Sequence, residues 1–205
     1  ATDEEAMLTR ARERWDLLEE QGRWDTLITE LARRFKEPPG AEFVEVGLRL
    51  SSALLMAAKG SRAQAVSRTL LAEGQLEPGA VQEIRRNIIK AYIAQGLIAD
   101  AEIAAQRYQL EYAPDETSWQ LMRARIALAG HRPKDAVSQL IGAESYAAQL
   151  WRAYAEWRSG ALPIELAMTR LDAVLIPAEL VELESTRQAM VAEVASEVGY
   201  ARLRV

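Results

Sequence analysis

The chain has 205 residues, a formal net charge of −5 at pH 7 and no cysteine. Disulfides, thiolate metal sites and a thiol nucleophile are therefore excluded, and the acidic balance argues against a broad electrostatic attraction to nucleic-acid backbones or anionic lipid. With 36 alanines and 25 leucines against 2 phenylalanines, the composition is rich in strong helix formers and poor in strand formers, which predicts an all-α fold.

Helical spacing recurs along the whole chain. Thr2 and Glu5 form a capping box for a first helix in which Met7, Leu8, Ala11, Trp15 and Leu18 return at helical intervals. Its partner ends at Pro38-Pro39-Gly40, since proline cannot continue a helix. The same reading gives antiparallel pairs over about residues 4–36, 41–73, 80–112, 116–141 and 146–175, then a terminal helix over about 178–198. Residues 75–79 connect the second pair to the third, and Pro78 is placed to open the helix that follows.

Five glycines mark the break inside each pair. Gly22, Gly60, Gly96, Gly130 and Gly160 are spaced by 38, 36, 34 and 30 residues, a period that belongs to stacked helical hairpins. Glycine enters the left-handed conformation that closes a helix, so each is expected at a C-cap. A small residue follows five to seven positions later at Ala65, Ala101, Ala136 and Ala167, where a short side chain lets paired helices approach; Leu27 departs from this in the first pair. One continuous domain over residues 1–205 is expected, because in such a stack each unit packs only on its neighbours.

This grammar resembles the tetratricopeptide repeat family. The resemblance rests on Trp119, Gly130 and Ala136 in the fourth pair, and on Tyr92, Gly96, Ala101 and the closing Pro114 in the third. Ile89 and Arg123 depart from it, standing where the family usually has a small residue. What the resemblance implies is a degenerate right-handed α-solenoid over about residues 4–175, whose first helices line a groove for an extended or helical peptide.

No catalytic constellation is legible. His131 is the only histidine and falls in a turn beside Arg132 and Lys134, so it reads as an exposed turn residue. Neither a two-histidine metal site nor a Gly-rich phosphate loop is present, and no cofactor is expected. Around Arg10, Arg12 and Arg14, the most basic local cluster, acidic residues dilute the charge, as on a solvated helix face.

Tryptophans and groove positions carry the remaining expectations. Trp15 and Trp24 flank the first junction and are expected to pack its helices, and Trp119 is expected in the core. Trp151, Tyr154 and Trp157 share one helix, and the last two are spaced to share a face, in core packing or as an aromatic ledge. Counting back from each glycine, the resemblance places Glu83, Arg86 and Lys90, then Thr117 and Gln120, then Leu150, Tyr154 and Trp157 on the groove. Arg86 and Lys90 lie one turn apart, either as a clamp for a carboxylate or as a solvated face. The partner-binding residues expected are Arg86, Lys90, Gln120, Tyr154 and Trp157.

A non-catalytic scaffold for a protein or peptide, one region of a larger bacterial-type assembly or envelope protein, is the leading expectation. The alternatives are a helical accessory domain of a larger enzyme, such as a cell-wall lytic enzyme, and a secretion chaperone. The longest apolar run, residues 53–58, is far short of the roughly 20 residues that span a bilayer, so no direct membrane insertion is expected. Absence of cysteine fits the cytoplasm and equally the periplasm, and the acidic opening does not read as a signal peptide. Leu180, Leu183, Met190, Val191, Val194 and Val198 give the terminal helix a broad apolar stripe, and Tyr200 to Val205 read as the opening of another helix. The terminal helix is expected to pack on the fifth pair, with the chain continuing or with self-association through this surface.

Overall fold

The computed structural model describes residues 3–36, 42–73 and 76–202. Among them are eleven α-helices and no strand: α1 Asp3–Glu20, α2 Trp24–Phe35, α3 Phe43–Met56, α4 Gly60–Glu73, α5 Pro78–Ala94, α6 Ile98–Tyr112, α7 Glu116–Ala129, α8 Pro133–Gln139, α9 Tyr146–Arg158, α10 Ile164–Ala173 and α11 Val181–Arg202. Two compact units emerge, residues 1–95 and 96–205, with consecutive helices packed on one another inside each.

Local chemistry accounts for five of the helix starts. Pro78 opens α5 and Pro133 opens α8, positions where the missing N–H costs nothing. The Asp115 carboxylate accepts from Ser118 N at 2.9 Å to cap α7, and Ser145 Oγ accepts from Ala148 N to cap α9. Pro163 stands at the N-cap of α10 in extended conformation, one residue before the helix. The Thr2 capping box and the Pro38-Pro39-Gly40 stop lie outside the described residues.

The turns inside the pairs share one hydrogen-bond pattern. Arg23, Lys59, Arg132 and Ala161 donate their backbone N–H to the carbonyls of Leu18, Leu54, Ala127 and Glu156, at 2.8–2.9 Å. In each case the preceding residue is left-handed, which makes a Schellman closure of the first helix. Those left-handed residues are Gly22, Ala58, His131 and Gly160, and Gly96 takes the same conformation between α5 and α6.

Two glycines of the sequence ladder therefore do a different job. Neither Gly60 nor Gly130 is left-handed; Ala58 and His131 hold those slots. Gly60 is needed for space, since a Cβ there would come within 2.9 Å of both Ala91 O and Ala94 Cβ of α5. This moves the register of the second turn. Five residues beyond the left-handed position come Leu27, Ala63, Ala101 and Ala136, all fully buried, so the packing residue of α4 is Ala63 and Ala65 is exposed. Ala167 in α10 is also fully buried.

Polar links join successive pairs at nearly the same sequence interval. In the first unit, Arg12 of α1 grips Glu45 of α3 and Arg49 of α3 reaches back to Asp16 of α1, both across 33 positions. Lys59 binds Asp25 across 34, and Gln95 donates to Gln64 across 31. In the second unit, Arg132 binds Glu102 across 30, and Arg158 binds Glu193 across 35. Exposed pairs of this kind stabilise little individually; their similar intervals reflect the similar lengths of the successive helix pairs they join.

The core of the first unit runs through Trp15, Leu18, Leu27, Leu31, Val46, Leu50 and Leu54. Trp15 is 3 % exposed, with the guanidiniums of Arg34 and Arg49 each 5.8 Å from its ring centroid, and Trp24 packs against the same core. A buried hydroxyl pair, Ser51 and Ser67 at 3.0 Å, ties α3 to α4. In the second unit α9 serves two cores. Ala148 and Ala155 join Ala124, Ala136 and Leu140 on one side, and Leu150 and Ala153 join Leu171, Met190 and Val194 on the other.

The terminal helix α11 thus packs on the fifth pair through Met190 and Val194, with Leu183 and Val191 at the margin. Leu180 precedes the helix and is exposed. The Val198 side chain and the reading of Tyr200 to Val205 fall outside the described side chains. No helix among the described residues is long and apolar enough to cross a membrane.

Candidate functional site

The residues singled out in the sequence lie on three helices. Arg86 and Lys90 are one turn apart on α5; Arg86 is exposed and Lys90 half-buried, while Asn87 between them is buried, its Nδ2 without a hydrogen-bond partner. Gln120 is half-buried on α7 in the second unit. Tyr154 and Trp157 lie on α9, again half-buried. Leu150, expected on the groove, is fully buried instead, because its position on α9 faces α10 and α11.

Around α9 the structure assembles an aromatic and arginine cluster. Tyr154 meets Trp151 edge-on at 6.1 Å and Trp157 at 5.6 Å. Arg158 sits 5.9 Å from both the Tyr154 and Trp157 rings, and Arg125 of α7 sits 5.1 Å from Trp151. The Tyr154 hydroxyl donates to Glu193 of α11 at 2.7 Å, and Arg158 Nη1 reaches the other oxygen of that carboxylate at 2.6 Å. Burial, reinforced by Glu193, pushes the Tyr154 phenol up to about 12. The i, i+3 spacing did bring Tyr154 and Trp157 together, and α11 covers much of what they present.

Arg125 is the unsatisfied member of this cluster. Its Nε is sealed from solvent without a hydrogen-bond partner, and burial pushes the guanidinium below its ordinary value, with Glu182 opposing. Trp119 is half-buried rather than central to a core, and carries the Arg123 guanidinium 5.9 Å from its ring.

A second concavity was not singled out in the sequence. In the first unit Asp25, Ile28, Thr29, Ala32 and Arg33 on α2 and Lys36 at its C-cap, with Lys59 just before α4 and Arg62 in its first turn, line a groove of about 550 Å³. The α2 residues recur at helical spacing along one side of that helix. Lys59 Nζ binds Asp25 Oδ1 at 2.6 Å, and this hydrogen bond holds the Asp25 carboxyl below its usual range.

His131 is exposed in its turn and left-handed. No group of three or more histidine, aspartate and glutamate residues suited to hold a metal ion occurs among the described residues. No protein-family model, curated protein or solved structure matches the chain.

Proposed function

We propose that this chain is a non-catalytic protein-interaction scaffold, built as a tetratricopeptide-like right-handed solenoid, that holds a protein or peptide segment against its helix faces. One observation carries the reading: four turns with the same Schellman closure, and a buried residue five positions beyond the left-handed slot in four of the second helices. A frame that repeats its supporting contacts leaves the outward residues of each pair free to vary, which is how stacked hairpins acquire binding surfaces.

Each unit contributes contacts of its own. In the first, Arg86 and Lys90 present two cations one turn apart on α5, a spacing suited to a carboxylate. In the second, Gln120 and the exposed edges of Tyr154 and Trp157 offer an amide and an apolar surface.

The test is affinity capture of a partner with the whole chain, compared with an Arg86→Glu/Lys90→Glu double variant of unchanged helical signal. Partner retention by the wild type and loss by the variant is the expected result. Undiminished retention by the folded variant would reject the α5 contact, and turnover of a small molecule by the isolated chain would reject the scaffold reading itself.

A further inference from the structure

We infer that the groove between α2 and the start of α4 binds an extended acidic segment of a partner protein. The charges lining it are unequal. Four cations, Arg33, Lys36, Lys59 and Arg62, face one carboxylate, Asp25, and Lys59 is already bound to that carboxylate. Arg33, Lys36 and Arg62 are exposed and make no ion pair among the described residues.

Elsewhere in the unit arginines occur both without and with an ion pair: Arg10, Arg23, Arg68, Arg85 and Arg86 make none among the described residues. Arg12, Arg14, Arg34 and Arg49, along the α1–α3 side, each hold a carboxylate within 3.2 Å. On a chain of net charge −5, three cations without an ion pair among the described residues, gathered at one concavity, form a local positive field that the protein as a whole opposes. The first turn of α4 carries no acidic residue to offset its helix dipole, which adds to the same field.

The shape favours a peptide over a nucleic acid. From Asp25 to Lys36 the α2 face extends about 16 Å at 1.5 Å per residue, the length of roughly five residues of extended chain. Ile28, 3 % exposed, and Ala32 form an apolar floor between the cations. Alternate side chains of an extended strand point the same way, so carboxylates at every second position fit the cations while the residues between them face outward. A continuous phosphate backbone would have to pass Asp25 and the acidic remainder of the chain.

This site is lined by second helices and includes neither Arg86 nor Lys90 of the first helix α5, so the two readings fail separately. Its test uses a five-residue peptide of alternating glutamate and alanine, blocked at both ends and carrying an uncharged dye, titrated with the whole chain by fluorescence anisotropy. Saturable binding is expected at low salt, weakened about tenfold between about 50 and about 500 mM salt as screening sets in. Arg33→Glu with Arg62→Glu should weaken it at least about tenfold, and Arg86→Glu with Lys90→Glu should leave it unchanged. Should the reversal variant lose its helical signal, Arg33→Gln with Arg62→Gln gives the same comparison without new repulsion. Absence of saturation, undiminished binding by the folded variants, tighter binding of a single-stranded oligonucleotide than of the peptide, or occupation of the groove by a second copy of the chain would each overturn the inference.

Discussion

Lys59 Nζ lies 2.6 Å from Asp25 Oδ1, joining the turn of the second helix pair to the second helix of the first. The hydrogen bond from Lys59, and then its charge, lower the Asp25 pKa from 3.8. A carboxyl lowered on folding stabilises the native state above its unfolded pKa, and that contribution is lost as pH falls through the folded value. Asp25→Asn should therefore lower the melting temperature slightly near neutral pH and make no difference once the wild-type carboxyl is protonated, well below about pH 4. Thermal melts at the two pH extremes check this; a difference that persists in strong acid would contradict it.

Ala58 and Gly60 have exchanged the roles their side chains suit. Ala58 is left-handed at φ 55°, whereas Gly60 is not and has α5 packed where a Cβ would stand. Ala58→Gly should stabilise the first unit by about 0.5–1 kcal/mol by relieving the left-handed alanine. Gly60→Ala should destabilise it by about 1–3 kcal/mol by forcing α4 from α5. Denaturant midpoints of the two variants should move in opposite directions.

Small residues in the second helices set how closely each pair closes. Ala101, Ala136 and Ala167 are fully buried, and Ala65 is exposed. Replacing any of the buried three by leucine should cost about 1–3 kcal/mol through overpacking. Ala65→Leu should stay within about 0.5 kcal/mol of the wild type. Urea titrations of the four variants distinguish this register from the one set by counting from glycine.

Tyr154 joins α9 to α11 through Glu193, and burial pushes its phenol up to about 12. Its pKa is raised above the ordinary value of 10.0, so the stabilisation is complete below about pH 10 and is lost as pH rises through about 12. Ultraviolet titration should find a tyrosine ionising late in the wild type that is absent in Tyr154→Phe. The same variant should lose about 1 kcal/mol of stability near neutral pH through the missing hydrogen bond.

Much of the architecture was legible because alanine and leucine periodicity, proline starts and glycine breaks all act locally. The fourth and fifth pairs begin at residues 116 and 146, as read from the sequence, and the other ends of the pairs differ by at most a few residues. What escaped depends on contacts between segments. Glycine marked every break, yet could not reveal that Ala58 and His131 take the left-handed slot in two of them. Spacing placed Tyr154 beside Trp157, but the covering by α11 depends on a helix some 35 residues further on. The α2–α4 groove escaped for the same reason: Arg33 and Lys36 look like ordinary charges at a helix end until Arg62 is brought opposite them.

The claim that this chain works by holding a protein partner is tested most directly by hydrogen exchange on the whole chain, with and without a captured partner. The account predicts slowed exchange in α5, α7 or α9 around Arg86, Gln120 and Tyr154, with the Schellman turns at Gly22 and Gly160 unchanged. Protection confined to those turns, or a stable complex that slows exchange neither at these three helices nor at α2 and the start of α4, would contradict it.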